Sequence, residues 1–126
     1  MGITKVTAQL SNLVKSKPGY EALFLVDTGA HDCMAPKSEL IKAGIAIEGK
    51  KSYELANGQP YEVEYGFARI SFMGDETVTP VIFGPEGAEP ILGVIALESV
   101  GIGVDPVTRT LRKMPAIPLK RKKIMY

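Results

Sequence analysis

Residues 22–32, ALFLVDTGAHD, place a run of five apolar residues directly before Asp27. An uninterrupted apolar run of this length is typical of a strand that is buried on both faces. A carboxylate at the end of such a strand needs a partner, because burying an unpaired charge is costly. Two interpretations follow: Asp27 lies in an exposed turn and hydrogen-bonds the nearby backbone, or it is a catalytic acid or base.

The whole chain has the composition of one globular domain. Its 126 residues are 45% hydrophobic and 23% charged, with a formal net charge of +1, which argues against a nucleic-acid-binding surface. The N-terminus does not resemble a signal peptide, and no apolar stretch approaches the ~20 residues that span a bilayer. With Cys33 as the single cysteine, we expect a cytoplasmic protein with no nucleic-acid or membrane partner.

Most of the chain is predicted to form short strands. Apolar and polar residues alternate over Val6–Leu10, and the buried strand covers Tyr20–Val26. Alternating arms around Asn57-Gly58 predict one hairpin. A second hairpin is predicted where Phe67–Met73 and Thr77–Phe83 flank the sequence Gly-Asp-Glu.

Two short helices are predicted, over about 36–43 and about 94–100, and each is followed by a glycine that ends it. The helix ends belong to two similar segments, LIKAGIAI (40–47) and LESVGIGV (97–104). Each segment follows an apolar strand that meets a glycine. We interpret the chain as a duplicated half-barrel with pseudo-twofold symmetry; chance similarity is the alternative.

Three segments together resemble the retroviral-type aspartic proteases, or retropepsins, which are single-domain relatives of pepsin: LVDTGA (25–30), LANGQ (55–59) and ILGVIALESVGIGVDPVTRTL (91–111). The third segment is similar in particular to the bacterial and archaeal members. The resemblance covers about residues 6–114 of a single domain, 1–126. It implies an all-β fold, mainly strands with one or two short helices, closed into an acid-protease β-barrel.

The resemblance implies that Asp27 is the catalytic carboxylate. Two carboxylates a few ångströms apart share one proton, so that together they can act as base and acid in peptide hydrolysis without a metal or cofactor. No other aspartate of the chain begins an Asp-Thr-Gly or Asp-Ser-Gly sequence. The resemblance therefore implies a homodimeric aspartic endopeptidase, with one Asp27 from each chain and a peptide or protein substrate between them.

The same resemblance assigns supporting roles to neighbours of Asp27. Thr28 is expected to tie the two active-site loops together through its hydroxyl, and Gly29 to fold the loop tightly and donate its amide to the carboxylate. Ala30 completes this loop. Leu92 and Gly93 are expected to pack beneath it.

Substrate contacts are also implied. The hairpin tip Ala56-Asn57-Gly58 resembles the flap that closes over substrate and excludes water. His31 and Asp32 are expected at the rim, in contact with substrate.

The chain departs from the retroviral pattern in three places. Retroviral enzymes typically carry an aspartate four residues after the catalytic one and an arginine after the later glycine, and these two side chains pair. Here His31 and Val94 occupy the two positions, which leaves the dimer contacts unspecified. The flap also has fewer glycines than the viral flaps.

Other functions remain open. A non-catalytic, dimeric retropepsin-like module that binds peptides or serves in assembly is the main alternative. A metal site of His31 and Asp32 with Asp27 is disfavoured, because the chain has no other histidine and shows no second carboxylate cluster. The basic tail LKRKKIMY (119–126) is a solvated terminus or part of a strand, 118–126, that pairs with the second chain; a nucleic-acid tag is disfavoured by the near-neutral net charge.

Overall fold

The computed structural model describes residues 4–114 of the chain. The predicted strand over 118–126 lies outside these residues. In the described part the chain forms, in order, β1 (Lys5–Ser11), β2 (Tyr20–Val26), β3 (Cys33–Pro36), α1 (Lys37–Lys42), β4 (Gly49–Glu54), β5 (Pro60–Phe72), β6 (Asp75–Gly84), β7 (Ile91–Leu92), α2 (Val94–Ser99), β8 (Ile102–Val104) and β9 (Leu111–Lys113).

Six of these strands close into a barrel. The strand order is β1-β2-β7-β3-β6-β5-β4, and β1 also pairs with β5, so that the ring closes and β4 is left outside it. The 13-residue strand β5 makes this possible, because its first residues pair with β4 while its last residues pair with both β6 and β1. The predicted all-β class and closed barrel are confirmed.

The hydrophobic core fills the ring. Ala8 and Leu10 of β1 are buried, as the alternating pattern predicts, and Phe24, Ile70 and Leu92 are buried with them. Removing such apolar side chains from water is the main favourable contribution to folding. The core therefore lies directly behind the strands that carry the candidate site.

Strand β2 differs from its predicted burial on both faces. Phe24 is completely buried, whereas Leu23 is 55% exposed. The reason is the architecture: β2 lies between β1 and β7 in the wall of a barrel, so that only its inward face meets the core. An apolar run therefore marked the strand correctly but not the environment of each face.

The second predicted hairpin has a shorter turn than expected. The pairing of β5 with β6 extends further toward the turn than predicted, up to Phe72 and Asp75. The turn therefore consists of Met73 and Gly74 instead of Gly-Asp-Glu. Both turn residues have positive φ, 53° and 80°. This conformation is that of a type I′ turn, whose twist matches the twist of the strands.

The first hairpin is observed where Asn57-Gly58 predicts it, but its loop has three residues. The Leu55 amide donates to the Gln59 carbonyl at 2.8 Å, and the Gly58 amide donates to the Leu55 carbonyl at 2.8 Å. Gly58 has a φ of +85°. A turn closed by a residue in the left-handed conformation is the usual three-residue connection.

Both helices are observed and end as predicted. Gly44 follows α1 with a φ of +80°, and Gly101 follows α2 with a φ of +71°. The two similar segments also bury equivalent side chains, Leu40 and Ile45 in the first and Leu97 and Ile102 in the second. The repeated pattern therefore corresponds to repeated local structure. No helix of residues 4–114 has the length and apolar character that crossing a membrane requires.

Candidate active site

Asp27 follows directly after β2, at a point set by a second strand. Strand β7 pairs with β2 in parallel, with Val26 opposite Leu92. The Asp27 amide continues this pairing by donating to the Leu92 carbonyl at 3.1 Å. The position of Asp27 therefore depends on a residue 65 positions later in the chain.

The loop after Asp27 turns tightly around its carboxylate. The Gly29 amide donates to Asp27 Oδ1 at 2.9 Å, and the Ala30 amide donates to the Asp27 carbonyl at 3.1 Å. A Cβ at Gly29 would lie 3.2 Å from Oδ1, so that glycine leaves room for the carboxylate. Hydrogen bonds of this kind also occur in ordinary aspartate turns, so this contact alone does not separate the two interpretations of Asp27.

The same loop is anchored to the start of α2. The Val94 amide donates to the Ala30 carbonyl at 2.8 Å, and the Ile95 amide donates to the His31 carbonyl at 3.1 Å. Helix N-termini leave amides without partners inside the helix, and α2 has no side-chain cap. The loop carbonyls satisfy these amides, which joins the loop to α2.

Gly93 lies in the closest contact between the loop and its support. A Cβ at Gly93 would lie 2.5 Å from the Asp32 carbonyl oxygen and 2.6 Å from the His31 carbonyl oxygen. Its backbone angles, φ −92° and ψ 173°, are accessible to any residue, so the requirement for glycine is one of space. Leu92 is buried beside it. The structure thus places Leu92 and Gly93 beneath the loop, where the sequence predicts them.

An apolar groove of about 400 Å³ lies next to the loop. This volume is within the range of small-ligand and peptide side-chain pockets. The loop contributes four lining residues, Gly29, Ala30, His31 and Asp32, and the remaining lining residues are Met34, Tyr53, Tyr61, Val63, Ile82 and Ile91. Asp27 does not itself line the groove, but Gly29, whose amide donates to the Asp27 carboxylate, does. Two other depressions, of about 320 and 420 Å³, contain no predicted site residue.

Asp32 is engaged within the chain. Its carboxylate is buried, and Oδ2 accepts hydrogen bonds from Lys51 Nζ at 2.9 Å and from the Tyr53 hydroxyl at 2.7 Å. Burial, followed by the hydrogen bond and the negative charge of Asp32, raises the pKa of Tyr53 to about 12. We refer to Asp32, Lys51 and Tyr53 as the Asp32 cluster.

The sequence did not single out Lys51 and Tyr53 as site residues. The two residues are two positions apart on β4, a spacing that places both side chains on the same face of a strand. That spacing is the one sequence signal that relates them. It does not indicate which residue the face meets.

The other predicted site residues are exposed in the single chain. Thr28 and His31 are exposed at the loop, with His31 at the edge of the groove. The hairpin tip, Ala56-Asn57-Gly58, is also exposed and does not line the groove. The structure therefore brings residues 29–32 together along the groove. Residues from both arms of the hairpin, Tyr53, Tyr61 and Val63, line the same groove, whereas the hairpin tip does not.

Cys33 is buried behind the loop, where the Gly93 amide lies 3.5 Å from its Sγ atom. Burial raises the pKa of the Cys33 thiol to about 11, so the thiol is neutral at physiological pH. A neutral, buried thiol behaves as a small apolar core residue and not as a nucleophile. Within residues 4–114, no three side chains of the types His, Cys, Asp and Glu are grouped as a metal site.

Comparisons with known proteins establish the fold. No protein-family model matches the sequence, and no curated protein matches it significantly. Among solved structures, the chain is similar to the solution structure of the simian foamy virus (mac) protease, with a TM-score of 0.56 and 13% sequence identity. The similarity covers 75% of this chain and 92% of the viral chain. A similarity at 13% identity does not assign a role to any single residue. It does show the fold, and we conclude that the chain has the retropepsin-like, acid-protease fold.

Proposed function

We propose that the protein is a homodimeric aspartic endopeptidase in which the Asp27 carboxylates of two chains activate a water molecule between them. The observation that carries the proposal is the position of Asp27. Its loop is held by β7 on one side and by α2 on the other, and the groove begins at its neighbour Gly29. A catalytic carboxylate needs such a fixed position next to a space for substrate.

The chemistry requires two carboxylates. One accepts a proton from the attacking water, and the other, which carries the shared proton, donates it to the carbonyl oxygen of the peptide bond. The three other aspartates of the chain are each engaged in an ion pair: Asp32 with Lys51, Asp75 with Lys113, and Asp105 with Arg112. A second copy of Asp27 is therefore the best source of the second carboxylate.

The groove favours a peptide as the substrate. Its lining is mainly apolar and includes Met34, Ile82 and Ile91. A peptide matches this lining, because one of its apolar side chains can fill the groove. The fold similarity to a viral protease supports the same class of substrate.

The test replaces Asp27 with Asn, which keeps the size and most hydrogen bonds of the side chain but cannot act as the base. We expect cleavage of a denatured protein substrate to be lost, with circular dichroism and Tm near the wild-type values. A pepstatin-type inhibitor should block the wild type, and a chelator should not. If the wild type binds peptide without cleaving it, the non-catalytic peptide-binding module is the correct function. Cleavage by Asp27→Asn at the wild-type rate would show that the assigned chemistry is wrong.

The dimer is tested with the same two proteins. Because each chain carries half of the site, activity per chain should fall on dilution below the dimer dissociation constant. An excess of Asp27→Asn chains should inhibit the wild type by forming heterodimers with one carboxylate. Sedimentation of a monomer that retains full activity per chain would contradict the half-site arrangement.

A further inference from the structure

The hairpin formed by β4 and the first part of β5, residues 49–65, stands out from the barrel. Strand β4 lies outside the closed ring and pairs with β5 alone. It buries no apolar side chain: within β4, only Gly49 and Lys51 are half-buried, and the rest are exposed. Hydrophobic packing therefore does little to hold this hairpin in place.

The Asp32 cluster joins this hairpin to the loop that carries Asp27. Asp32 lies five residues after Asp27, and its side chain is 4% exposed. Both donors that reach its Oδ2 atom, Lys51 Nζ and the Tyr53 hydroxyl, come from β4. The Lys51 ammonium also lies 5.0 Å from the centre of the Tyr65 ring, on the other arm of the hairpin. One buried carboxylate thus contacts one arm directly and the other through Lys51.

The strength of this connection follows from burial. Exposed ion pairs contribute little, because water competes for both charges. The other ion pair that joins the hairpin to the rest of the described residues, Lys37–Glu64, has no buried member, because its side chains are 48% and 32% exposed. Asp32 is different: none of the described residues donates a hydrogen bond to its other oxygen, Oδ1, so the carboxylate depends on the two donors of β4. Losing either donor leaves a buried charge short of partners.

The connection also shapes the groove. Tyr53 lines the groove with its ring while its hydroxyl binds Asp32, so that the hydrogen bond fixes the distance between the hairpin and the loop. We propose that the Asp32 cluster is a tether that holds the β4–β5 hairpin against the active-site loop, and that Lys51 and Tyr53 are positioning residues for substrate binding. The effect on peptide turnover rests on the proposed protease function, whereas the tether itself does not.

The test compares four variants. Tyr53→Phe removes the hydroxyl and keeps the ring, and Lys51→Met removes the charge and keeps most of the stem. Lys51→Arg restores a donor and serves as the conservative rescue. Lys50→Met is the matched control, because Lys50 is the adjacent lysine on the same strand and forms only an exposed pair with Glu62, at 3.8 Å.

Hydrogen exchange of the backbone amides in β4, measured by mass spectrometry, reports on the tether. We expect Tyr53→Phe and Lys51→Met to exchange at least about tenfold faster in β4, as loss of a hydrogen bond to a charged group implies. Exchange in β6 should stay unchanged, which distinguishes a loosened hairpin from a less stable barrel. Lys51→Arg and Lys50→Met should stay within about twofold of the wild type. Wild-type exchange in both Tyr53→Phe and Lys51→Met would overturn the tether, as would an equal rise in β4 and β6.

Peptide kinetics report on the positioning role. A displaced groove wall weakens binding but leaves Asp27 in place, so KM should rise about tenfold while kcat changes less than threefold. A fall in kcat at unchanged KM would overturn this assignment, as would kinetics identical to the wild type. If the wild type itself does not cleave peptides, the proposed function fails and the exchange measurement alone decides on the tether.

Discussion

Replacing Gly93 with Ala tests the contact on which the candidate site is built. The added Cβ would meet three backbone atoms of the loop at 2.5–2.6 Å, whereas real Cβ atoms essentially never approach other atoms below 3.0 Å. The loop and the start of α2 must therefore separate by about 0.5 Å, the difference between 3.0 and 2.5 Å. Backbone atoms held by hydrogen bonds on both sides cannot rotate away as a side chain can.

The expected cost follows from this overlap. Overpacking of this kind destabilises proteins by about 1–3 kcal/mol. For a domain of this size, roughly 4 °C of Tm corresponds to 1 kcal/mol, so that Tm should fall by about 4–12 °C. Because the displaced loop carries Asp27, kcat should also fall, by about tenfold for a shift of half an ångström.

The assays are thermal and urea unfolding at one protein concentration, combined with peptide cleavage. Gly103→Ala is the matched control: its Cβ would meet the sulfur of Met114 at 3.0 Å, and a methionine side chain can move aside. We expect this control to cost less than about 1 kcal/mol and to keep its activity. Two outcomes would contradict the reasoning: Gly93→Ala is as stable and active as the wild type, or Gly103→Ala lowers the free energy of unfolding as much as Gly93→Ala does. In either case the close contact at Gly93 would not hold the loop in place.

Two further predictions concern Cys33 and Gly58. Burial raises the pKa of Cys33 from 9.0 to about 11, so folding favours the neutral thiol; this stabilisation is complete below pH 9 and is lost as the pH rises from 9 to about 11. Between pH 8.5 and 11 the free energy of unfolding should therefore fall by about 2–3 kcal/mol more in the wild type than in Cys33→Ala, and parallel curves would contradict the buried thiol. Gly58→Val places a β-branched residue at a φ of +85°, which should strain the hairpin by about 1–2 kcal/mol and lower kcat/KM several-fold. An unchanged kcat/KM would show that the hairpin tip has no part in catalysis.

The elements nearest to Asp27 were predictable because their signals are local. The apolar run over 22–26 predicts a strand, and Thr28-Gly29 predicts the tight turn after it. The helix ends at Gly44 and Gly101 were predictable for the same reason, since a positive φ after a helix favours glycine. Each of these features depends on a few neighbouring residues and on their backbone angles.

Partners that are distant in the chain were not predictable. Asp32 was expected to contact substrate, and the structure shows its carboxylate bound by Lys51 and Tyr53, 19 and 21 residues later. That contact exists only because β4 pairs with the first part of β5, which places Lys51 and Tyr53 beside the loop. The exposure of Leu23 has a similar cause, because an apolar sequence does not reveal which face of a strand becomes the outside of a barrel.

By itself, the sequence determined the strand that leads to Asp27, the turn that follows it, the two helix ends and the class of fold. Tertiary structure decided which residues surround the carboxylate: the fit of Gly93 beneath the loop, the amides of α2 on its carbonyls, and the Asp32 cluster beside the groove. The physical reason is how far apart in the chain two interacting residues can be. Backbone torsions and turn hydrogen bonds act between neighbours in the chain, whereas burial and charge pairing act between any residues that the fold brings within a few ångströms.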